Sequence, residues 1–119
     1  MVNILDDLIL YDSNENQIPV YIEGDAPAEL PNEYFTVSED YTSDHVCADN
    51  QPQSMLYEFS LKYYTTDATT LYSRMIEALT LLKSKQYITT GVGYHNGTYE
   101  DKWFSRQADV EKIDYLGGN

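Results

Sequence analysis

Met55, Tyr57, Phe59, Leu61 and Tyr63 alternate with Glu58, Ser60 and Lys62. A period of two belongs to a strand with one buried and one wet face. Thr66-Asp67 then supplies N-cap chemistry, and the period changes. Leu71, Met75, Ala78, Leu79 and Leu82 recur at helical spacing as one apolar stripe, with Lys83 and Lys85 in the last turn, where cations suit the helix dipole. The pattern predicts a strand over residues 55–64 and a helix over 67–85, with the helix stripe laid on the apolar row of the strand.

Elsewhere the pattern is weaker. Val2, Leu5, Leu8 and Ile9 lie at helical spacing opposite Asp6 and Asp7, which predicts a short amphipathic helix within residues 2–12. Residues 13–17 are a polar breaker. Residues 18–22 read as a short strand, and Pro19 assigns it to an edge or a strand start. Gly24, Pro27 and Pro31 mark a loop, and residues 33–37 a second strand. Residues 38–54 are polar with little periodicity and read as a long loop turning at Asp49-Asn50-Gln51-Pro52. Such a loop is functional or disordered, so it is expected to be mobile in a free subunit and ordered by a partner.

Residues 87–95 read as a third long strand, and Asn96-Gly97 between Tyr94 and Tyr99 is a strong hairpin-turn signal. The return strand is interrupted at residues 100–102, resumes at Trp103-Phe104, and runs again over 110–116. Its apolar phase shifts between Val110 and Ile113, which predicts a bulge or bend. Gly117-Gly118-Asn119 is a tail. The sum is one α+β domain over residues 1–119: an antiparallel sheet of four to five strands, one long helix packed on one face, and a short N-terminal helix beside it.

Length and charge narrow the function. A chain of 119 residues can bury a core without disulfides or metal. Cys47 is the single cysteine, so no intrachain disulfide forms, which suits a reducing cytoplasm. The N-terminus lacks the basic region and small-residue cleavage site of a signal peptide, and no apolar run is long enough to span a membrane. The net charge is −13, and all of it lies in residues 1–61, which hold 13 of the 20 acids and no lysine or arginine. Duplex DNA is a poor partner for such a chain, because phosphate binding needs a basic footprint. An acidic surface keeps a protein soluble; it also fits a basic partner, or imitates DNA. Twelve tyrosines against three phenylalanines suit protein interfaces as well as half-buried sheet faces.

Candidate chemistry is sparse. Residues 44–49 gather Asp44, His45, Cys47 and Asp49, but the spacing matches no zinc pattern. His95 reads as a hairpin residue. Asn96-Gly97-Thr98 fits a glycosylation sequon, and without a secretion signal it reads as chance. Acids are abundant enough for a carboxylate dyad to arise by coincidence; a dyad needs a cleft that separates two pKa values. No phosphate loop, nucleophile elbow or dinucleotide fingerprint occurs.

Several motifs in order carry a resemblance. A short N-terminal helix precedes Ile18-Pro19-Val20. Leu30-Pro31-Asn32-Glu33-Tyr34-Phe35-Thr36-Val37 follows, then a polar stretch ending in Ala48-Asp49-Asn50. Next come Leu61-Lys62-Tyr63-Tyr64-Thr65 with a helix directly after, Gly91-Val92-Gly93-Tyr94-His95, and a closing Val110-Glu111-Lys112-Ile113-Asp114-Tyr115-Leu116. In this order they resemble the tail terminators of long-tailed bacteriophages and prophages, the tail-completion and head–tail joining proteins.

The resemblance implies a structural protein that is not an enzyme and has no cofactor. Such proteins form a ring, typically hexameric, on the head-proximal end of the tail tube, stop its growth and join it to the neck. The implied partners are further copies of the chain, the tail tube protein and a head-completion or neck connector protein. No membrane and no sequence-specific nucleic acid is involved. The implied location is the tail–neck junction of the virion, after assembly in the host cytoplasm. An acidic lumen would ease the passage of DNA. Candidate interface residues are Tyr41, His45 and Asp49 in the polar stretch, and Tyr94, Tyr99 and Trp103 in the hairpin, because aromatic residues dominate interface hot spots. Trp103 fits a core plug equally well. The alternative is a small acidic phage-encoded inhibitor that mimics DNA and blocks a host DNA-binding protein.

Overall fold

A computed structural model of the chain describes residues 3–48, 51–89, 91–99 and 102–115, and for residues 41, 43–48, 51–53, 95–99 and 115 the backbone alone. Helix α1 is Ile4–Asp7, followed by strand β1 (Val20–Ile22) and two long strands, β2 (Glu33–Ala48) and β3 (Gln51–Thr65). A 3₁₀ turn, Ala68–Thr70, leads into helix α2 (Leu71–Ser84), and then come β4 (Ile88–Thr89), β5 (Tyr94–Tyr99) and β6 (Trp103–Tyr115). The six strands among the described residues form one sheet in the order β1-β2-β3-β6-β4, with β5 also paired to β6.

The fold is α+β, as the periodicities predict, but the sheet is mixed. β1 runs parallel to β2, with Val20 opposite Phe35 and Ile22 opposite Val37, and the remaining pairings are antiparallel. Residues 23–32 make the crossover that a parallel pair requires. Pro19 precedes this edge strand and accepts a hydrogen bond from the Phe35 amide at 2.9 Å; lacking an amide hydrogen of its own, it gives up no ladder bond there.

Residues 38–54 are the main correction. The described part of this stretch is strand, in one antiparallel hairpin with register from Glu33↔Thr65 to Ala48↔Gln51. The loop reading rested on the lack of an apolar row. A ladder needs none, because its backbone bonds form whatever the side chains are. Extra residues near Asp40 and His45 shift the register and break the alternation further. Beyond the Phe59↔Val110 pair, the ends of β2, β3 and β6 continue together as an arm. Sixteen residues of β2 reach about 53 Å at strand rise, which matches the long axis of 54 Å. The radius of gyration is 15.7 Å, against about 13.5 Å for a compact chain of this length.

The buried cluster joins both halves of the chain. Phe59, Leu61 and Tyr63 of β3 share it with Phe35, Val37, Ala108 and Val110, and with Leu71, Met75, Ala78, Leu79 and Leu82 of α2. Tyr57 is partly buried against it. Polar pairs reinforce the junction: one Glu33 oxygen accepts from Arg74 Nε and from the Tyr63 hydroxyl, each at 2.8 Å. Burial pushes the Tyr63 phenol up.

Local chemistry closes the turn that leads into α2 and the C-terminus of the helix. The Asp67 carboxylate caps the 3₁₀ turn, accepting from the Thr69 hydroxyl at 2.7 Å and from the Thr69 amide at 3.0 Å, and these bonds lower its pKa. At the other end the Tyr87 amide bonds Leu82 O and the Gln86 amide bonds Lys83 O, with Gln86 at φ 74°. This is a Schellman arrangement with glutamine where glycine is usual. The Lys112 ammonium also donates to Lys85 O and lies 4.8 Å from the centre of the Tyr87 ring, a cation suited to a helix C-terminus.

Other expectations need revision. The N-terminal helix is a single turn, capped by Asn3, which buries Ile4 and Leu8 one turn apart and leaves Ile9 exposed; Val2 lies outside the described residues. The expected strand over 87–95 is split into β4 and β5, because Gly91 and Gly93 adopt φ 69° and 77° between them. Asn96-Gly97 is not the hairpin turn. It sits inside β5 at a register shift between His95 and Thr98, and the chain reverses between Tyr99 and Trp103. β6 shows no bulge at Val110–Ile113; its pairing with β3 is unbroken from Phe104 to Tyr115. The apolar phase change reflects Ile113 lying on the opposite face from Val110.

Two outcomes follow. Leu79→Ala, which empties a buried position shared by α2 and the sheet, should cost about 2–5 kcal/mol in denaturant unfolding. Burial first, and then the bond from Tyr87 Oη to Asp7 at 2.7 Å, raise the Tyr87 phenol above its ordinary 10.0, and Tyr63 is raised as well. The folded state therefore holds these protons more tightly than the unfolded one. Stability should be full below about pH 10 and fall above it as unfolded tyrosines ionise, with Tyr87→Phe making the alkaline fall shallower.

Candidate functional surface

The sheet face opposite the buried cluster carries a groove of about 460 Å³. Its floor is β3 and β6, one wall is Asp40 of β2, and the other is Gly93 and Tyr94. The register explains its charge. Glu58 lies directly opposite Glu111, and Ser60 opposite Asp109. Asp40 is the extra residue between the Glu39↔Phe59 and Tyr41↔Glu58 pairs, and the bulge turns it onto the same face.

Its carboxylate accepts from Ser38 Oγ at 3.0 Å and from Ser60 Oγ. Ser60 has one hydroxyl hydrogen, so its 3.4 Å contact to Asp109 is the weaker of its two. None of Asp40, Glu58, Asp109 and Glu111 forms an ion pair with a described residue. Lys62 is on the same face, but its ammonium binds Glu23 at 2.9 Å. That bond is the main cause of its raised pKa, and the charge of Asp40 adds to it. Carboxylates directly opposite across strands repel, so the surface holds negative charge that no ion pair among the described residues neutralises.

The same face ends in an aromatic cluster. The Tyr34 ring stacks on Tyr64 at 5.0 Å and meets Trp103 edge-on at 5.6 Å, with Tyr21 at 5.9 Å. Trp103 is 5% exposed and Tyr34 7%. The indole is buried among these rings, on the sheet face opposite the core cluster.

The other candidate residues are dispersed. Tyr94 is 52% exposed at the groove wall. The backbone of Tyr41 is beside the Asp40 bulge, and that of His45 is further along β2. Tyr99 pairs with Trp103 at the far end of β5, and Asp49 lies outside the described residues. The sequence reading missed the groove acids. Asp109 and Glu111 sit two apart, the spacing of one strand face, but Asp40 could not be set beside Ser60 while residues 38–54 were read as a loop. Among the described residues, no group of three or more His, Cys, Asp or Glu side chains could hold a metal ion, and no helix is long and apolar enough to cross a membrane.

Comparisons with protein-family models, with curated proteins and with solved structures each gave no match.

The repulsion is open to measurement. Glu58→Lys puts a cation opposite Glu111 and should raise stability by about 0.2–1 kcal/mol. The gain should shrink as salt rises from 0.05 to 0.5 M, approximate bounds that carry the Debye length past the pair separation; a gain independent of salt would mean that packing, not charge, sets the pair.

Proposed function

We propose that this chain is a structural protein of a long-tailed bacteriophage or prophage, acting as a tail terminator. In this reading the long helix covers one sheet face and leaves the other to partners. Copies assemble as a ring, a hexamer as is typical of such proteins, on the head-proximal end of the tail tube, halt its growth and meet a neck connector. The observation that carries the reading is the arm. A domain of 119 residues with a 54 Å long axis reaches well beyond its own core. Among the described residues, β1 covers only Phe35–Val37 of the outer edge of β2. An arm of this kind suits the head-to-tail contacts that close a ring, and the order of sequence motifs points the same way.

The acidic groove favours a second reading, an inhibitor that presents carboxylates in place of DNA phosphates to a host DNA-binding protein. Light scattering at low salt separates the two: a discrete ring supports the first, and a monomer or dimer that captures such a protein supports the second.

The interface test uses Tyr94. Tyr94→Glu should leave a folded subunit, with a thermal midpoint close to that of the parent, that forms no rings and caps no tubes, giving tails of uncontrolled length. Normal tail length with this variant would remove the β5 hairpin from the interface. Normal tails and head joining after deletion of the whole gene would overturn the terminator reading.

A further inference from the structure

β4 and β5 lie along the same edge of β6, but their registers differ: Thr89 faces Val110 and Tyr94 faces Gln107. The surplus chain is taken up between Thr89 and Tyr94, where Gly91 and Gly93 have positive φ. Gly93 is pressed onto β6 so closely that a Cβ there would come within 2.5 Å of Gln107 O. Backbone in this state forms no ladder bonds of its own, so something else must hold it.

Arg106 is the side chain that does so. Its Nε donates to Val92 O and its Nη2 to Gly93 O, each at 3.0 Å. Its guanidinium also lies 5.0 Å from the centre of the Tyr72 ring, in the first turn of α2. One planar group thus binds two consecutive carbonyls with its fork and an aromatic face with its plane, a combination that lysine cannot reproduce.

We propose that Arg106 is a latch. It fixes the bulge at residues 91–93 against β6 and α2, and so sets the position of Tyr94 and of the hairpin beyond it. The bulge is the hinge, with two glycines to absorb backbone rotation. Opening the latch frees β5 without disturbing β3, whose partners are β2 and β6. The latch stands on contacts within one subunit. Its consequence for assembly, that Arg106 presets the hairpin for a neighbouring copy, rests on the ring reading above.

Amide hydrogen exchange on the purified chain tests it. In Arg106→Lys, exchange over residues 91–99 should accelerate about tenfold or more while β3 and α2 stay at parent rates, because local opening is a lower-energy event than global unfolding. Unchanged exchange over 91–99, or equal acceleration in β3 and α2, would overturn the latch. Should Arg106→Lys not fold, Tyr72→Leu keeps both hydrogen bonds and removes the ring. A smaller acceleration confined to 91–99 is then expected, and none would overturn the proposal. Light scattering of the same samples reads assembly separately. Rings in the parent that weaken in Arg106→Lys support the assembly role; rings of unchanged strength remove it. A parent that forms no rings sinks the ring reading and leaves the exchange result to decide the latch.

Discussion

Strand β3 is paired on both edges, to β2 and to β6, from Ser54 to Thr65. A slip of one residue would turn Phe59, Leu61 and Tyr63 out of the core and Glu58, Ser60 and Lys62 into it. That register decides the rest. It puts the Tyr63 hydroxyl on the Glu33 carboxylate that Arg74 also holds, which ties the start of β2 to α2. It sets Glu58 against Glu111 and so creates the acidic groove. It also sets the level at which Trp103 meets Tyr34. The core and the candidate surface are therefore two faces of one constraint, and neither can be adjusted without the other.

What the sequence made legible follows from how many independent signals agreed. For β3 and α2, periodicity, capping and charge all pointed the same way, although Asp67 caps the 3₁₀ turn that leads into α2 and not α2 itself. In residues 38–54 there was one signal, polarity, and polarity does not distinguish a loop from a strand whose ladder is satisfied by its neighbours. Asn96-Gly97 failed for a different reason. Trp103 is locked into its aromatic cluster, which fixes where β6 begins, so the chain reverses between Tyr99 and Trp103 and the Asn-Gly pair is absorbed as an irregularity in β5. Tertiary packing outranked a good local turn. The parallel β1 was beyond periodicity altogether, because three residues carry no direction.

The charge asymmetry also takes a different meaning once the sheet is assembled. In sequence, acids crowd the first half and bases the second. In the fold, the bases of the second half hold particular acceptors: Arg74 takes Glu33 and Glu77, Lys62 takes Glu23, Lys112 takes the end of α2, and Arg106 takes two backbone carbonyls. Apart from the pair of Arg74 with Glu77 inside α2, these are ties between distant segments, and none of the four cations forms an ion pair with a groove acid.

The bond between Tyr87 and Asp7 spans 80 residues. The segment that carries Ile4, Leu8 and Ile18 is made before Tyr87 and cannot complete its docking until the sheet and α2 exist. At about 5–20 residues per second that interval lasts on the order of 4–16 s. During synthesis these apolar residues thus wait in solution among acids. The like charge concentrated around them repels other copies of that segment.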